Sequence, residues 1–320
     1  MTRQSSLALG LAIAAIGILG QPNVAHAVAR ITLTEYSVTD QPFEITRGPD
    51  GNMWYTDSDR SLIGRLTAGG HLRTFVTLTT PSDPLGITSG PDGNLWFTEA
   101  LANQIGRITT AGVITEFPLQ SVDSYPRAIT TGPDGNLWFT ELFGNQIGKI
   151  TPDGDVTEFR IPTRDSLPIG IASAPDGQLW FAESGGDRVG KITVDGTITE
   201  LPLPAGRAPT DVTLGPNGSM WIAEPGQCCL GGYLAMVSLD GRLTEFAVSG
   251  DPTYLIGFHR ELWFTEPNTL KVGRMSVDGS VSLYPVPLHG RNNAIGLAPG
   301  PRSTLWFCEA AGFVGVISFG

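Results

Sequence analysis

Seven acids recur at one fixed offset in this chain: Asp57, Glu99, Glu141, Glu183, Glu224, Glu266 and Glu309 each stand three residues after a tryptophan. Carboxylates are the ligands of hard divalent cations, so an acidic ring could hold one. A single site needs broken symmetry, however, and strict repetition marks a structural unit, so most of the seven are expected to be hydrogen-bonding elements of a framework. Symmetry fails elsewhere. A second recurring segment reads Pro42-Phe43-Glu44-Ile45, Pro84-Leu85-Gly86-Ile87, Pro126-Arg127-Ala128-Ile129 and Pro168-Ile169-Gly170-Ile171. It continues as Pro209-Thr210-Asp211-Val212, Pro252-Thr253-Tyr254-Leu255 and Asn292-Asn293-Ala294-Ile295. Its second residue varies throughout, and Glu44, Asp211 and Tyr254 replace the usual Gly or Ala at the third. Polar and apolar groups converging on one mouth make a ligand site, which gives Phe43, Glu44, Arg127, Asp211, Thr253, Tyr254 and Asn293 as the expected binding residues.

Of the four histidines, His26 lies in an N-terminal apolar segment, and His71 and His259 fall in turns where solvation accounts for them. His289 sits in a variable loop and is a candidate base. The three cysteines are the adjacent Cys228 and Cys229 and the distant Cys308. Their pairing is open, and no C-x-x-C or H-x-x-x-H spacing suggests a metal site.

The elements that must position these residues are legible from the tryptophans. Trp54, Trp96, Trp138, Trp180, Trp221, Trp263 and Trp306 recur every 41 to 43 residues. The best copies read GPDGNLWFTE, then NQIGRIT or NQIGKIT, a glycine turn, and ITEFPL or VTEFRIP. Each unit offers four short strands bounded by Gly, Pro, Asp or Asn, with no helical period between them. Four antiparallel strands per unit, repeated seven times, predict an all-β, seven-bladed β-propeller. After Trp306 the chain has residues for a third strand and no fourth, while Ile31 to Val38 carries Thr34-Glu35-Tyr36, a fourth-strand motif. The N-terminal strand should therefore complete the last blade. The Gly-Pro-Asp-Gly turns hardly vary and lie on one face; variation collects on the other, where rigid scaffolds build sites. Blade five is longer there by four residues, which fall within Pro225 to Gly232 and read as a lip over the channel.

The 320 residues carry 20 Lys+Arg against 31 Asp+Glu, a net charge of −11, which argues against nucleic acid or an anionic membrane as partner. Arg3, the apolar stretch Leu7 to Gly20 and Ala25-His26-Ala27 read as a signal peptide over residues 1–27, so 28–320 is expected to be one exported domain, periplasmic or secreted, with no membrane span. No nucleophile elbow, zinc-protease motif or phosphate-binding glycine loop occurs.

The repeats GPDGNLWFTE and NQIGRIT, in seven copies over the mature length, resemble the streptogramin B lyase family. The resemblance implies a monomeric seven-bladed propeller that opens a cyclic depsipeptide by Mg²⁺-assisted elimination, with a histidine in Pro-His-Gly-Ile or Pro-His-Ala-Ile as base. It also implies a metal ligand at Glu309, with Glu266 as a companion. The histidine positions here are Phe43, Leu85, Arg127, Ile169, Thr210, Thr253 and Asn293, and none is His. The favoured expectation is therefore a propeller that binds a small molecule, peptide or glycan at the channel mouth. The alternative is a carbon-oxygen lyase with a substituted base, His289, Tyr254 or Glu44.

Overall fold

Short runs such as Leu-Trp-Phe-Thr-Glu, each ended by a glycine turn, pair most readily with their neighbours in sequence. In the computed structural model, which describes residues 31–226, 231–276, 278–286 and 294–319, they form seven antiparallel sheets of four strands each. The segment 1–27, Cys228, Cys229, His289 and Asn293 lie outside the described residues. Blades 1 to 6 span 42–76, 84–118, 126–160, 168–202, 211–248 and 255–285, and strands follow chain order within each. Strand one of every blade packs against strand one of both neighbours, so these strands line a central channel in a closed ring. Blade 7 contains Ala294–Pro299, Leu305–Glu309 and Phe313–Phe319, and its fourth strand is Ile31–Ser37, paired antiparallel to Phe313–Phe319. The ends of the chain thus meet in one sheet, which removes an open edge.

The repeat motif follows from packing around each tryptophan. The ring stacks on the strand-four aromatic, with centroids 5.5 Å apart for Trp54 and Phe75, 5.4 Å for Trp96 and Phe117, and 5.8 Å for Trp306 and Tyr36 across the closure. A strand-three cation covers it in several blades, as Lys191 does over Trp180 at 4.0 Å. The indole N–H of Trp54, Trp96 and Trp138 donates to the turn aspartate four residues earlier, at 3.0 Å in each case. That is why Gly-Pro-Asp-Gly precedes Leu-Trp. The strand-three glycine is equally required: a Cβ on Gly106 would lie 2.1 Å from the Phe97 ring. Cys308 is a free, fully buried thiol in the core cluster that contains Tyr55 and Val314. Among the described residues no helix is long and apolar enough to cross a membrane.

Candidate functional site at the channel mouth

Strand one enters each of blades 1 to 4 through a bulge. Pro42, Pro84, Pro126 and Pro168 pair with the strand-two acids Asp57, Glu99, Glu141 and Glu183, and the register then shifts before Ile45, Ile87, Ile129 and Ile171. The two residues inside each bulge leave the ladder, which re-aims their side chains toward the channel. The strand-two threonine supports the bulge. In blade 2 the Gly86 amide donates to the Thr98 hydroxyl at 2.9 Å, and that hydroxyl donates to the Arg127 carbonyl of blade 3 at 2.7 Å. Thr56 and Thr140 do the same toward Leu85 and Ile169, giving a belt of hydroxyls between neighbouring bulges. The small third residues permit this approach. A Cβ on Gly86 would stand 2.5 Å from the Arg127 carbonyl oxygen, and one on Gly170 would stand 2.4 Å from the Asp211 carboxylate.

Against that belt, residues from blades 1, 3, 5 and 6 meet. The Phe43 and Tyr254 rings contact edge to face with centroids 6.2 Å apart, and the Arg127 guanidinium lies 5.6 Å from the Phe43 centroid. Glu44 accepts the Ile87 amide at 3.2 Å. Asp211 accepts the amides of Leu255 at 2.8 Å and Val212 at 2.9 Å. Burial, with the charge of Asp211 added, pushes the Glu44 carboxyl up to about 8, against the pull of the Ile87 amide and Arg127. Burial likewise pushes Asp211 up to about 7, opposed by its two amides and by Arg127. Tyr254 is driven well above the ordinary phenol range, chiefly by burial.

A cavity of about 310 Å³ adjoins this cluster and takes Phe43 and Arg127 from it, with Ser58, Asp83, Leu85 and Tyr125 beside them; Glu44, Asp211 and Tyr254 stand outside its lining. The Tyr125 hydroxyl donates to Asp83 at 2.9 Å, and burial raises that carboxyl. Neither residue was expected. Both stand immediately before the proline of strand one, with φ of 51° at Asp83 and 56° at Tyr125, and such strained positions gather at ligand clamps. The variability of that position, Gln41, Asp83, Tyr125 and Leu167, was the signal available in the sequence. On the opposite face a depression of about 450 Å³ between glycine turns has Arg47 as its only charged lining residue among the described residues.

Phe43, Glu44, Arg127, Asp211 and Tyr254 are thus brought together. Thr253 is not: its hydroxyl donates to the Asp251 carbonyl at 3.1 Å, and its carbonyl accepts Thr210 at 3.0 Å. His259 lies in the turn after strand one of blade 6, with its ring 3.9 Å from that of Phe258.

The seven strand-two acids are fully buried outside the cavity. Five face the strand-four glutamate of their own blade, as Glu99 faces Glu116, Glu141 faces Glu158, Glu183 faces Glu200, Glu224 faces Glu245 and Glu309 faces Glu35. The strand-four partner in turn accepts amides from the loop entering its blade, Leu78 at 2.6 Å and Thr79 at 3.0 Å for Glu116, Ser121 for Glu158 and Thr163 for Glu200. Burial pushes Glu99 and Glu141 up to about 7 and Glu183 up to about 8, and burial with the adjacent glutamate raises Glu224 and Glu309. These acids join loops to blades. Glu309 faces Glu35, and Glu266 accepts the Thr269 hydroxyl at 2.6 Å. Among the described residues no three His, Cys, Asp or Glu are grouped to hold a metal.

The chain matches the family model described as the virginiamycin B lyase family over residues 15–251 and 205–319. It is similar to selenomethionine-substituted virginiamycin B lyase from Staphylococcus aureus, at 32% identity and TM-score 0.85, with 90% of this chain and 99% of that one covered. It is similar to a streptogramin B lyase at 30% identity and TM-score 0.85, covering 91% of this chain and 98% of that one. A third structure is a catalytically inactive histidine-to-alanine variant of the Staphylococcus aureus virginiamycin B lyase with quinupristin, 31% identical, TM-score 0.84, covering 90% and 99%. No curated protein matches by sequence.

Proposed function

The chain belongs to the virginiamycin B lyase family, and from that premise we propose that it is an exported propeller that binds a small molecule, peptide or glycan at the channel mouth. In this reading the relatives' histidine-dependent lyase chemistry is absent. One observation carries the proposal. Phe43, Glu44, Arg127, Asp211 and Tyr254 come from four blades to one mouth, while none of the seven positions after the strand-one proline or its equivalent is histidine. The relative with quinupristin supports it, because exchange of one histidine for alanine there gives a catalytically inactive protein that is still paired with the compound.

A second reading keeps lyase activity with a substituted base. It is favoured by Glu44, whose carboxyl at about 8 stands near the working range of a general base. Tyr254 is a poor base, since its proton is held more tightly than an ordinary phenol's. Incubation of the purified chain with virginiamycin B, with Mg²⁺ and with chelator, separates the two when followed by mass. Unchanged substrate is expected; chelator-sensitive ring opening that disappears in Glu44→Gln would establish the second reading instead. For binding, a ligand screen should give hits whose affinity changes in Arg127→Ala and in Tyr254→Ala, and hits indifferent to both would place the site elsewhere. Export is tested by N-terminal sequencing of the secreted chain, which should begin at Val28.

A further inference from the structure

Among the described residues of the mouth, carboxyls outnumber cations. Glu44, Asp83 and Asp211 stand around a single guanidinium, that of Arg127, which acts electrostatically on all three. Backbone amides hold two of these carboxylates in place: Ile87 fixes Glu44, and Leu255 and Val212 fix Asp211. They cannot swing out to water without breaking those bonds. A buried carboxyl in such a place is either protonated or paired with a cation. Both acids retain their protons to unusually high pH even with Arg127 beside them, so one guanidinium does not neutralise the group.

The rings point the same way. Aromatic faces attract cations, and the edge-to-face pair of Phe43 and Tyr254 already has the Arg127 guanidinium 5.6 Å from the Phe43 centroid. The cavity that Phe43 and Arg127 line, about 310 Å³, is at the lower end of the range for small-ligand pockets. We propose that the channel mouth takes a small protonated amine, seated against Phe43 and Tyr254 beside Glu44 and Asp211, with Arg127 as the internal cation that it displaces. This rests on the reading of the mouth as a ligand site and names the class of ligand. An anionic ligand would meet Asp83 in the cavity lining, with Glu44 and Asp211 sharing Arg127 with it. A neutral one would leave the carboxyls protonated and gain nothing from their charge.

The test uses the purified chain at pH 8 with benzylammonium, its neutral counterpart benzyl alcohol and its anionic counterpart benzoate, measured by titration calorimetry. Benzylammonium should bind about tenfold or more tightly than either of the others, a difference that a single well-placed charge can supply. Glu44→Gln and Asp211→Asn should each remove most of that preference, and Arg127→Gln should strengthen ammonium binding by freeing its seat. N-acetyl-lysine amide serves as a further arm: tighter binding of this probe than of benzylammonium identifies a peptide side chain as the source of the amine. Thermal melts of each variant report whether the fold is intact.

Equal binding of the three aromatic probes, no binding of benzylammonium, or a preference for benzoate overturns the amine proposal. If benzoate is preferred and its binding is lost in Phe43→Ala, the mouth remains a ligand site of another class. Binding of every probe unchanged by both Phe43→Ala and Arg127→Ala overturns the ligand site as well.

Discussion

At the level of single residues, the mouth is distinguished by carboxyls standing where the framework needs only a small group. Gly86, Ala128 and Gly170 occupy the third position of the Pro-x-x segment in blades 2, 3 and 4, and Glu44 and Asp211 occupy it in blades 1 and 5. Such a substitution costs desolvation, and Glu44 shows it in a proton affinity raised to about 8. The sign follows from linkage. Because the folded-state value lies above the ordinary carboxyl value of 4.5, its contribution to stability is complete below that value and is lost as pH rises through about 8. Glu44→Gln keeps a side-chain oxygen for the Ile87 amide and has no proton to lose. The variant and wild type should melt together at pH 5, and at pH 9 the variant should melt higher, by about 3 °C or more for a chain of this size. Calorimetric melts at the two pH values decide it. A variant less stable than wild type at pH 9 would show that the charged form of Glu44 is the one the fold prefers.

At the level of strands, each bulge has to be held open by something, and the threonine of Leu-Trp-Phe-Thr-Glu does this. Thr98 joins the Gly86 amide of its own blade to the Arg127 carbonyl of the next, so it positions the residue that carries the mouth's guanidinium. Thr98→Val preserves shape and leaves a buried amide without its acceptor. It should cost about 1–3 kcal/mol in urea denaturation and weaken ligand binding at the mouth. An equal loss from Ala182→Ser in blade 4, where no such hydroxyl exists, would show that the belt is not what matters. This strand logic also explains what could be read in advance. The tryptophan period and the glycine turns announce every strand, because ring stacking and the strand-three glycine restrict the residue types at those positions in most blades. The bulge residues were legible as breaks in symmetry. Asp83 and Tyr125 were not, because their direction comes from a positive φ before proline that neither residue type signals. Thr253 misled for the converse reason. Blade 6 pairs Leu255 with Phe264 and has no register shift, so its second residue is not re-aimed as Arg127 is.

For the molecule as a whole, the ring is closed by one short strand, and its stability should follow two collective terms. Removal of residues 28–38 would strip Phe313–Phe319 of its partner, take the Tyr36 ring off Trp306 and remove Ile31 and Leu33 from the core cluster of Leu305, Phe307 and Ile317. The truncated chain should lose its single cooperative melt, and a melt unchanged in midpoint and sharpness would contradict closure by this strand. The second term is pH. Glu99, Glu141, Glu183, Glu224 and Glu309 are buried in five different blades, and each has its proton affinity raised by desolvation. All five therefore stabilise the fold fully below the ordinary carboxyl value of 4.5 and lose that contribution as pH climbs through their raised values, about 7 for Glu99 and Glu141 and about 8 for Glu183. Self-repulsion at a net charge of −11 adds in the same direction. The turn aspartates Asp50, Asp92 and Asp134 oppose it only in stronger acid, since their hydrogen bonds lower their values and their contribution fails as pH falls through those lowered values. The melting temperature should accordingly be highest near pH 5, fall steadily toward pH 9, and fall again in stronger acid. Glu183→Gln should flatten part of the alkaline slope, because it removes one of the five titrations and keeps the side chain's shape. A melting temperature that is level or rising between pH 5 and pH 9 would mean that these buried acids are ionised in the folded ring, and that the framework is held by charge and not by shared protons.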